Sequence, residues 1–369
     1  MSLERLQIQG VRNLQSVKLE RLARINILFG VNGSGKTSVL EAIHLLGLAR
    51  SFRSTQIKPV INHQQTECTI FGELRSVGGP AMAMGVSRDR QSHYKIRING
   101  QNVYSTAELA EHLPLLTINA DSFGLLMGPP ASRRRYLDWS VFHVEPSFYG
   151  EWKRYQRCIK QRNSVLRRDK IDASQLDTWT MELALAGDTV DKMRRKQFEQ
   201  LAATFKMVAA ELSDSLVGLE LRYHRGWDKE KSLSAALEHA QPSDTERGFT
   251  HVGAHRADIR IKIGSANAVE ILSRGQLKLA VCALKLAQGQ LFSRLTGREC
   301  VYLIDDLPSE LDQKHLEAFC HLLQKLDSQV FVTCVDHAEL DRKWLNPEYV
   351  ELFHVEQGEV TRMIDSVFK

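Results

Sequence analysis

The segment with the clearest chemistry is a phosphate-binding loop. Its residues are Gly30, Val31, Asn32, Gly33, Ser34, Gly35, Lys36 and Thr37. They follow the G-x-x-x-x-G-K-[ST] pattern between an apolar run at 25–29 and a helix-favouring stretch. The glycines let the backbone curl so that its N–H groups, together with the positive end of the helix, face phosphate oxygens. Lys36 is expected to reach the β- and γ-phosphates and Thr37 to ligate Mg²⁺, so ATP and Mg²⁺ are the predicted cofactors.

Two adjacent carboxylates predict the other side of this site. The apolar residues 301–304 are followed by Asp305 and Asp306, the arrangement by which phosphate-loop ATPases position Mg²⁺ and the attacking water. Asp305 is expected to hold the metal. Asp306 is the predicted general base or water-positioning residue, because its side chain leaves the opposite side of the strand end. The alternative is that the pair forms a helix cap at the strand end, followed by a turn at Leu307-Pro308.

A second anion-binding segment lies far along the chain. Ser273, Gly275 and Gln276 belong to the sequence Leu-Ser-Arg-Gly-Gln before a helix predicted at about 275–294. A serine hydroxyl and a glycine N–H at a helix N-terminus can bind an anion. Two such ends far apart in one chain predict that they enclose one γ-phosphate across a dimer. The alternative is that Ser273 merely caps its helix.

Positive charge is concentrated in one part of the sequence. The formal net charge is +5, yet residues 131–170 hold eleven Lys and Arg against four Asp and Glu, a local surplus of seven. Such a concentration favours a polyanionic partner, because each neutralised phosphate releases counterions. The alternative is a pair of amphipathic helices with buried aromatics and solvated arginines. The predicted DNA-binding residues are Arg133, Arg134, Arg135, Lys153, Arg154 and Arg157.

The order of the patterns predicts an α/β protein with a split core. Strand-like alternation covers the first 30 residues, and short β-rich runs recur from 67 to 104 with a turn at Asn99-Gly100. Residues 131–214 have helical periodicity, and β-like runs return after 219. We predict a nucleotide-binding domain from residues 1–125 and 215–369, with a basic helical domain at 126–214 between its parts.

Composition excludes several classes of protein. A hydrophobic content of 43% with 25% charged residues is ordinary for a soluble, core-forming chain. No run approaches the roughly 20 apolar residues of a membrane helix, and the N-terminus lacks the layout of a signal peptide. A cytoplasmic protein is therefore expected. The six cysteines form no C-x-x-C pair, which predicts reduced and mostly buried thiols.

Taken together, the motifs resemble those of ABC-type ATPase heads and, within that class, the RecF family of DNA replication and repair ATPases. The resemblance extends over nearly the whole chain. It includes the phosphate loop, residues 272–276, and Ile304-Asp305-Asp306 followed by Ser-Glu-Leu-Asp at 309–312. More specific is Gly-Pro-Pro-Ala-Ser-Arg-Arg-Arg-Tyr-Leu-Asp at 128–138, which resembles the family's G-x-P-x-x-R-R-x-x-L-D segment.

The resemblance implies an ABC-type P-loop ATPase head, a mixed sheet with helices, into which a helical domain is inserted. It implies a weak, DNA-stimulated ATPase that dimerises on ATP and acts in gap repair and the SOS response. The implied DNA is gapped, single-stranded or a junction. The implied protein partners are RecR, RecO and the recombinase RecA, with no membrane partner.

Two other functions use similar motifs. The ATPase subunit of an ABC transporter has the same nucleotide sandwich, but the basic segment argues against a membrane partner. An SMC-like tether would need long heptad repeats. The helical stretch of at most about 85 residues at 131–214 is too short for a long coiled-coil arm.

Overall fold

The computed structural model describes residues 2–75, 79–341, 344 and 349–363. The chain forms two compact units. The first contains the residues up to Phe123, the short segment Glu211–Ser213, and the residues from Lys278 onward. The second contains Gly124–Ala210 and Asp214–Leu277.

The strands are numbered in chain order. They are β1 (Ser2–Val11), β2 (Leu14–Glu20), β3 (Ile25–Phe29), β4 (Glu67–Arg75), β5 (Ala81–Asp89), β6 (Tyr94–Ile98), β7 (Gln101–Val103), β8 (Leu115–Ile118), β9 (Leu219–His224), β10 (Asp258–Ile263), β11 (Ala266–Asn267), β12 (Val301–Ile304), β13 (Gln329–Cys334), β14 (Val350–Glu356) and β15 (Glu359–Arg362).

The helices are numbered in the same way. They are α1 (Lys36–Leu48), α2 (Thr106–His112), α3 (Gly124–Met127), α4 (Pro130–Val144), α5 (Phe148–Leu166), α6 (Ala173–Leu212), α7 (Leu233–Arg247), α8 (Ala268–Ile271), α9 (Arg274–Thr296), α10 (Leu307–Glu310), α11 (Gln313–Lys325) and α12 (Ala338–Asp341).

The first unit contains two sheets on either side of α1. One is antiparallel, in the order β2-β1-β4-β5-β6-β7. The other has the order β15-β14-β3-β13-β12-β8, and its strands are parallel except for β15. Helix α1 packs on β1, β4 and β5 of the first sheet and on β12 and β13 of the second. Residues of α1 and of both sheets join in one hydrophobic cluster, which holds α1 in place.

Most of the predicted elements of the first unit are confirmed. Helix α1 begins at Lys36, as the phosphate-loop pattern predicts, and β12 leads directly to Asp305. The turn predicted at Asn99-Gly100 joins β6 to β7. All six cysteines are buried and none forms a disulfide bond, as expected.

The second unit consists of helices and a small sheet. The helical character predicted for 131–214 is confirmed by α4, α5 and α6. The compact units nevertheless do not follow the predicted domain bounds, since 214–277 belongs to the second unit. The strands β9, β10 and β11 pair with one another in a separate three-stranded sheet, and β10 packs on α4. Strand-like sequence alone could not show which sheet these strands would join.

The buried side chain of Arg162 links α5 to α6, to α7 and to Thr250 within the second unit. The side chain of Arg162 on α5 is fully buried, as is that of Asp244 on α7, and the two form an ion pair at 2.6 Å. Arg162 also donates hydrogen bonds to the hydroxyls of Thr180 on α6, at 2.9 Å, and Thr250, at 2.7 Å. Charges buried in this way are tolerated only when they are paired and hydrogen-bonded.

Replacing Arg162 with Met should lower the free energy of unfolding by about 3–5 kcal/mol, because the Asp244 carboxylate would stay buried without its guanidinium. Urea denaturation followed by circular dichroism measures the change. Arg222→Gln is the control, since it removes an exposed pair with Glu220 at 2.6 Å and should cost less than about 1 kcal/mol. Equal losses in both variants would contradict the prediction.

Candidate nucleotide site

The phosphate loop joins β3 to α1 and has the backbone shape that its glycines permit. Gly30, Gly33 and Gly35 have φ angles of +145°, +83° and +123°, which L side chains rarely adopt. At Gly30 a Cβ atom would also lie 2.2 Å from the carbonyl oxygen of Val355. Glycine at position 30 therefore serves both the loop conformation and the close passage of β14.

The Lys36 side chain lies against the loop backbone. It is 8% exposed, and its Nζ donates to the carbonyl oxygens of Gly30 at 2.6 Å and Val31 at 3.0 Å. Burial lowers the pKa of this ammonium, and the negative charges of Asp306 and Asp305 oppose the shift. The cation that is predicted to reach the phosphates is thus held at the loop.

Two turns from elsewhere in the first unit hold the loop. Asn13, between β1 and β2, donates through Nδ2 to the Ser34 carbonyl oxygen at 2.9 Å. Its Oδ1 accepts a hydrogen bond from the Ser38 hydroxyl at 3.0 Å. The N–H of Gly358, between β14 and β15, also donates to the Ser34 oxygen, at 2.8 Å. No local pattern marks Asn13, because this contact depends on the folded position of the β1–β2 turn.

The structure brings the two predicted metal ligands together. The Thr37 hydroxyl donates to Oδ1 of Asp305 at 2.9 Å, although 268 positions separate the two residues. The hydroxyl of Thr333, at the end of β13, donates to the same oxygen at 2.8 Å. A hydroxyl and a carboxylate fit Mg²⁺, which takes oxygen ligands and usually binds through one or two carboxylates together with substrate phosphates. Thr333 was not predicted.

Asp306 lies beside Asp305 in a constrained conformation. Its φ is +54°, in the left-handed region, and its N–H donates to the Thr333 hydroxyl at 2.8 Å. The Ser309 hydroxyl donates to Oδ2 of Asp306 at 2.7 Å. Left-handed backbone at a non-glycine residue costs on the order of 1–3 kcal/mol and occurs preferentially at functional sites.

These residues line a cleft of about 750 Å³ in the first unit. The cleft contains most of the predicted loop residues, both aspartates, and a group of basic residues that were not predicted. No local motif marks these basic residues, which come from separate loops and a strand end. They are Arg12, Arg53, Lys58, His63 and Arg90.

Arg12 is held in the cleft wall by a buried carboxylate on α1. Its Nε and Nη2 donate to Glu41 at 2.8 and 2.9 Å, and the Glu41 side chain is fully buried. The hydrogen bond to Glu41 raises the pKa of Arg12. Ser51 donates its hydroxyl to the same carboxylate. Arg12 is therefore held in the cleft wall as a guanidinium whose charge is offset by Glu41.

The residues 272–276 take the form of a capping box. The Gln276 N–H donates to the Ser273 hydroxyl at 3.3 Å, and the Ser273 N–H donates to Oε1 of Gln276 at 2.9 Å. Ser273 and Gly275 are exposed, and neither is among the residues that line the cleft. Ser273 therefore caps α9, and its predicted contact with a second subunit's nucleotide stays a prediction.

Two of the predicted DNA-binding arginines have partners within the protein. Arg133 on α4 pairs with Asp258 at 2.7 Å and donates to the Gly128 carbonyl oxygen at 2.7 Å. Arg134 donates to the Ala257 carbonyl oxygen at 2.9 Å, and burial lowers its pKa. These bonds fix α4 to β10 and the residues that precede it, and DNA contact at these two positions stays a prediction.

The other four predicted DNA-binding residues are exposed. They are Arg135, Lys153, Arg154 and Arg157. Arg154 pairs with Glu182 at 2.7 Å and Glu151 at 3.7 Å, whereas the Lys153 ammonium lies 4.7 Å from the ring centroid of Tyr149. DNA contact by these exposed residues stays a prediction.

Comparison with known proteins places the chain in a family. It matches the RecF/RecN/SMC N terminal domain family over residues 2–361. It is 53% identical to the DNA replication and repair protein RecF of Pseudomonas syringae pv. tomato over 365 residues, which are 99% of each chain. The RecF protein of Pseudomonas fluorescens is equally similar, with 53% identity over 99% of both chains. The chain belongs to the RecF family.

Solved structures agree with membership in the RecF family. A structure described as the recombination mediator protein RecF-ATP in the RecFOR pathway matches with a TM-score of 0.86 and 25% identity, over 98% of this chain and 97% of that one. An Smc head domain from Pyrococcus furiosus matches with a TM-score of 0.59 at 13% identity, over 98% and 96% of the two chains, which shows the fold alone. The predicted ABC-type ATPase head is confirmed.

No helix in the described part of this RecF-family chain has the length and apolarity to cross a bilayer.

Gly30→Ala should destabilise the first unit by about 1–3 kcal/mol, because it adds backbone strain and a clash with β14. Thermal denaturation without nucleotide measures the effect. Gly85→Ala is a matched control in the same unit, since the nearest atom to its Cβ would be 4.0 Å away. It should leave stability unchanged or raise it by up to about 1 kcal/mol. A Gly30 variant as stable as the control would contradict the assigned loop geometry.

Proposed function

We propose that the chain is an ATP-dependent DNA-binding protein of DNA replication and recombinational repair with weak ATPase activity. The observation that carries the proposal is the hydrogen bond at 2.9 Å between Thr37 and Asp305, which joins the phosphate loop to the strand-end carboxylate. Family membership supports the repair role, and the related structure described as RecF-ATP supports ATP as the nucleotide. The same membership favours this function over that of a transporter ATPase.

In the proposed site, each part of the cleft has a separate task. The N–H groups of residues 30–35 and the Lys36 ammonium bind the phosphates. Thr37 and Asp305 hold Mg²⁺, which when bound supplies positive charge to the phosphate oxygens. Asp306 orients water and accepts its proton, while Ser309 fixes one oxygen of that carboxylate.

The proposed assembly is a homodimer that forms on ATP. Ser273, Gly275 and Gln276 are exposed or partly exposed at the start of α9, where the N–H groups and the helix dipole favour an anion. We infer that they contact the γ-phosphate held by a second copy. ATP would then control dimerisation, and hydrolysis would serve release from DNA.

The proposed DNA substrate is gapped duplex or a junction between single and double strands. Family membership supports RecR as a partner, and RecO and RecA as further partners in loading the recombinase during the SOS response. The related structure is described as part of the RecFOR pathway, which supports RecR and RecO as partners. A cytoplasmic location follows from the proposed work on DNA.

Binding to gapped duplex DNA with and without ATP-Mg²⁺ tests the proposal, with the mass of the complex measured in the same experiment. We expect ATP to raise the affinity and the bound species to be a dimer. Binding that is indifferent to nucleotide would contradict the proposed function.

Lys36→Met should weaken ATP binding by at least about tenfold, because hydrogen bonds to a charged group contribute about 1.5–3 kcal/mol each. DNA binding should no longer respond to ATP. Calorimetric titration with ATP measures the affinity. The exposed Lys18 of the same unit provides the control variant Lys18→Met, which should bind ATP normally. Unchanged affinity in the Lys36 variant would refute its assigned role.

Ser273→Arg should leave ATP binding by the monomer unchanged and prevent ATP-induced dimerisation, because the larger cation would occupy the place of the second copy's γ-phosphate. Sedimentation with and without ATP measures the dimer. Arg294→Gln, near the other end of α9, is the control and should dimerise normally. A Ser273 variant that still dimerises with ATP would exclude the nucleotide sandwich.

A further inference from the structure

Helix α5 has two faces of opposite character. Its buried face is formed by Phe148, Tyr155, Cys158, Arg162, Val165 and Leu166. At about 100° per residue, Lys153, Arg157 and Lys160 lie within about 60° of one another on the opposite side, and all three are exposed. Arg167, directly after the helix, is exposed and continues the same line. These four residues are the α5 cationic stripe.

The charge of the stripe is not balanced locally. Within the described part of the chain, neither Arg157 nor Lys160 forms a hydrogen bond or an ion pair. Arg167 donates through Nε to the Gly248 carbonyl oxygen at 3.3 Å, a contact that leaves its charge unpaired. The one acidic residue in the sequence of α5 is Glu151, and it pairs with Arg154 on the flank of the helix.

The dimensions of the stripe match a regular polyanion. From Lys153 to Arg167 the line extends about 21 Å at 1.5 Å per residue. Steps of three and four residues place a cation or a polar residue about every 5 Å along it. One strand of B-DNA carries a phosphate about every 3.4 Å along its axis, so the stripe spans about six phosphates.

The side chains around the stripe indicate which kind of polyanion fits it. Binding of single strands depends on exposed aromatic rings on which bases stack. The aromatic residues of α5 are instead buried or half-buried. A protein partner would need an apolar anchor at the centre of the surface, and no large hydrophobic residue of α5 is exposed. The exposed neighbours Gln156 and Ser164 are polar and can bond to phosphates.

We propose that the α5 cationic stripe binds the phosphate backbone of duplex DNA without reading its sequence. The inference rests on the proposed function and deepens it, since it assigns the duplex part of the substrate to one face of one helix. It adds Lys160 and Arg167 to the proposed DNA contacts. Arg133 and Arg134 are not part of the stripe, because their side chains have partners within the protein.

The test is the salt dependence of duplex binding by the double variant Arg157→Gln, Lys160→Gln in the full chain with ATP-Mg²⁺. Each lost phosphate contact should reduce the slope of log affinity against log salt by about 0.9. From about 50 to about 200 mM salt the unmodified protein should therefore lose about tenfold more affinity than the variant. Affinity for an oligothymidine strand should stay unchanged.

The control is Lys192→Gln, Lys206→Gln, which makes the same charge change at exposed positions of α6. Its salt slope on the duplex should equal that of the unmodified protein. ATP affinity, measured on all three proteins, should also be equal, because every substitution is outside the cleft.

Three results would overturn the assignment of the stripe: an unchanged slope in the stripe variant, an equal reduction in the α6 control, or an equal loss on the single strand. The proposed function would survive each of them, provided that the unmodified protein binds gapped DNA in response to ATP. Failure of the unmodified protein to bind any DNA would instead refute the proposed function, and the stripe assignment with it.

Discussion

The Asp305 carboxylate accepts hydrogen bonds from the Thr37 hydroxyl at 2.9 Å and the Thr333 hydroxyl at 2.8 Å. These contacts exist because β3, β13 and β12 are adjacent and parallel, so that their carboxyl ends meet at one edge of the sheet. In open α/β sheets this edge is where ligands bind. Helix α1, buried between two sheets, keeps Thr37 in place. Phosphate loop, carboxylates and cleft all depend on this strand order.

Helix α1 also carries two ionised side chains in a largely apolar environment. Desolvation of a charge costs several kcal/mol unless partners compensate it. The charge of Glu41 is compensated within the protein by the bidentate contact with Arg12. Lys36 is bonded to neutral loop carbonyls, and burial lowers its pKa. In the proposed function a bound phosphate supplies the opposite charge, which gives the ammonium a stronger interaction with nucleotide than with the empty loop.

Helix α5 of the second unit carries arginines in two different environments. The guanidinium of Arg162 is fully buried and paired with Asp244, whereas Arg157, five positions earlier, faces solvent. The difference is one of helical phase, because a change of five positions turns the side chain to the far side of the helix. The buried charge stabilises the packing of α5 against α6 and α7. The exposed charges form a surface whose chemistry suits phosphate groups.

The sequence by itself determined the features whose chemistry is local. The phosphate loop lies within eight consecutive residues, the aspartate pair follows an apolar strand, and the motifs at 272–276 and 128–138 identified the family before any fold was known. Such patterns can be read along the chain because the strand, the loop and the helix that they require are neighbours in sequence.

Only the tertiary structure decided which distant residues join these motifs. It placed Asn13 and Thr333 at the site, brought Arg12 into the cleft wall, and put 214–277 with the helical unit. It also showed which arginines of the basic segment are paired within the protein and which cations are exposed on its surface. Composition shows that charges are present, but pairing and burial depend on contacts between residues that are distant in sequence, such as Arg133 with Asp258. Those contacts are set by the packing of whole elements, which no local pattern encodes.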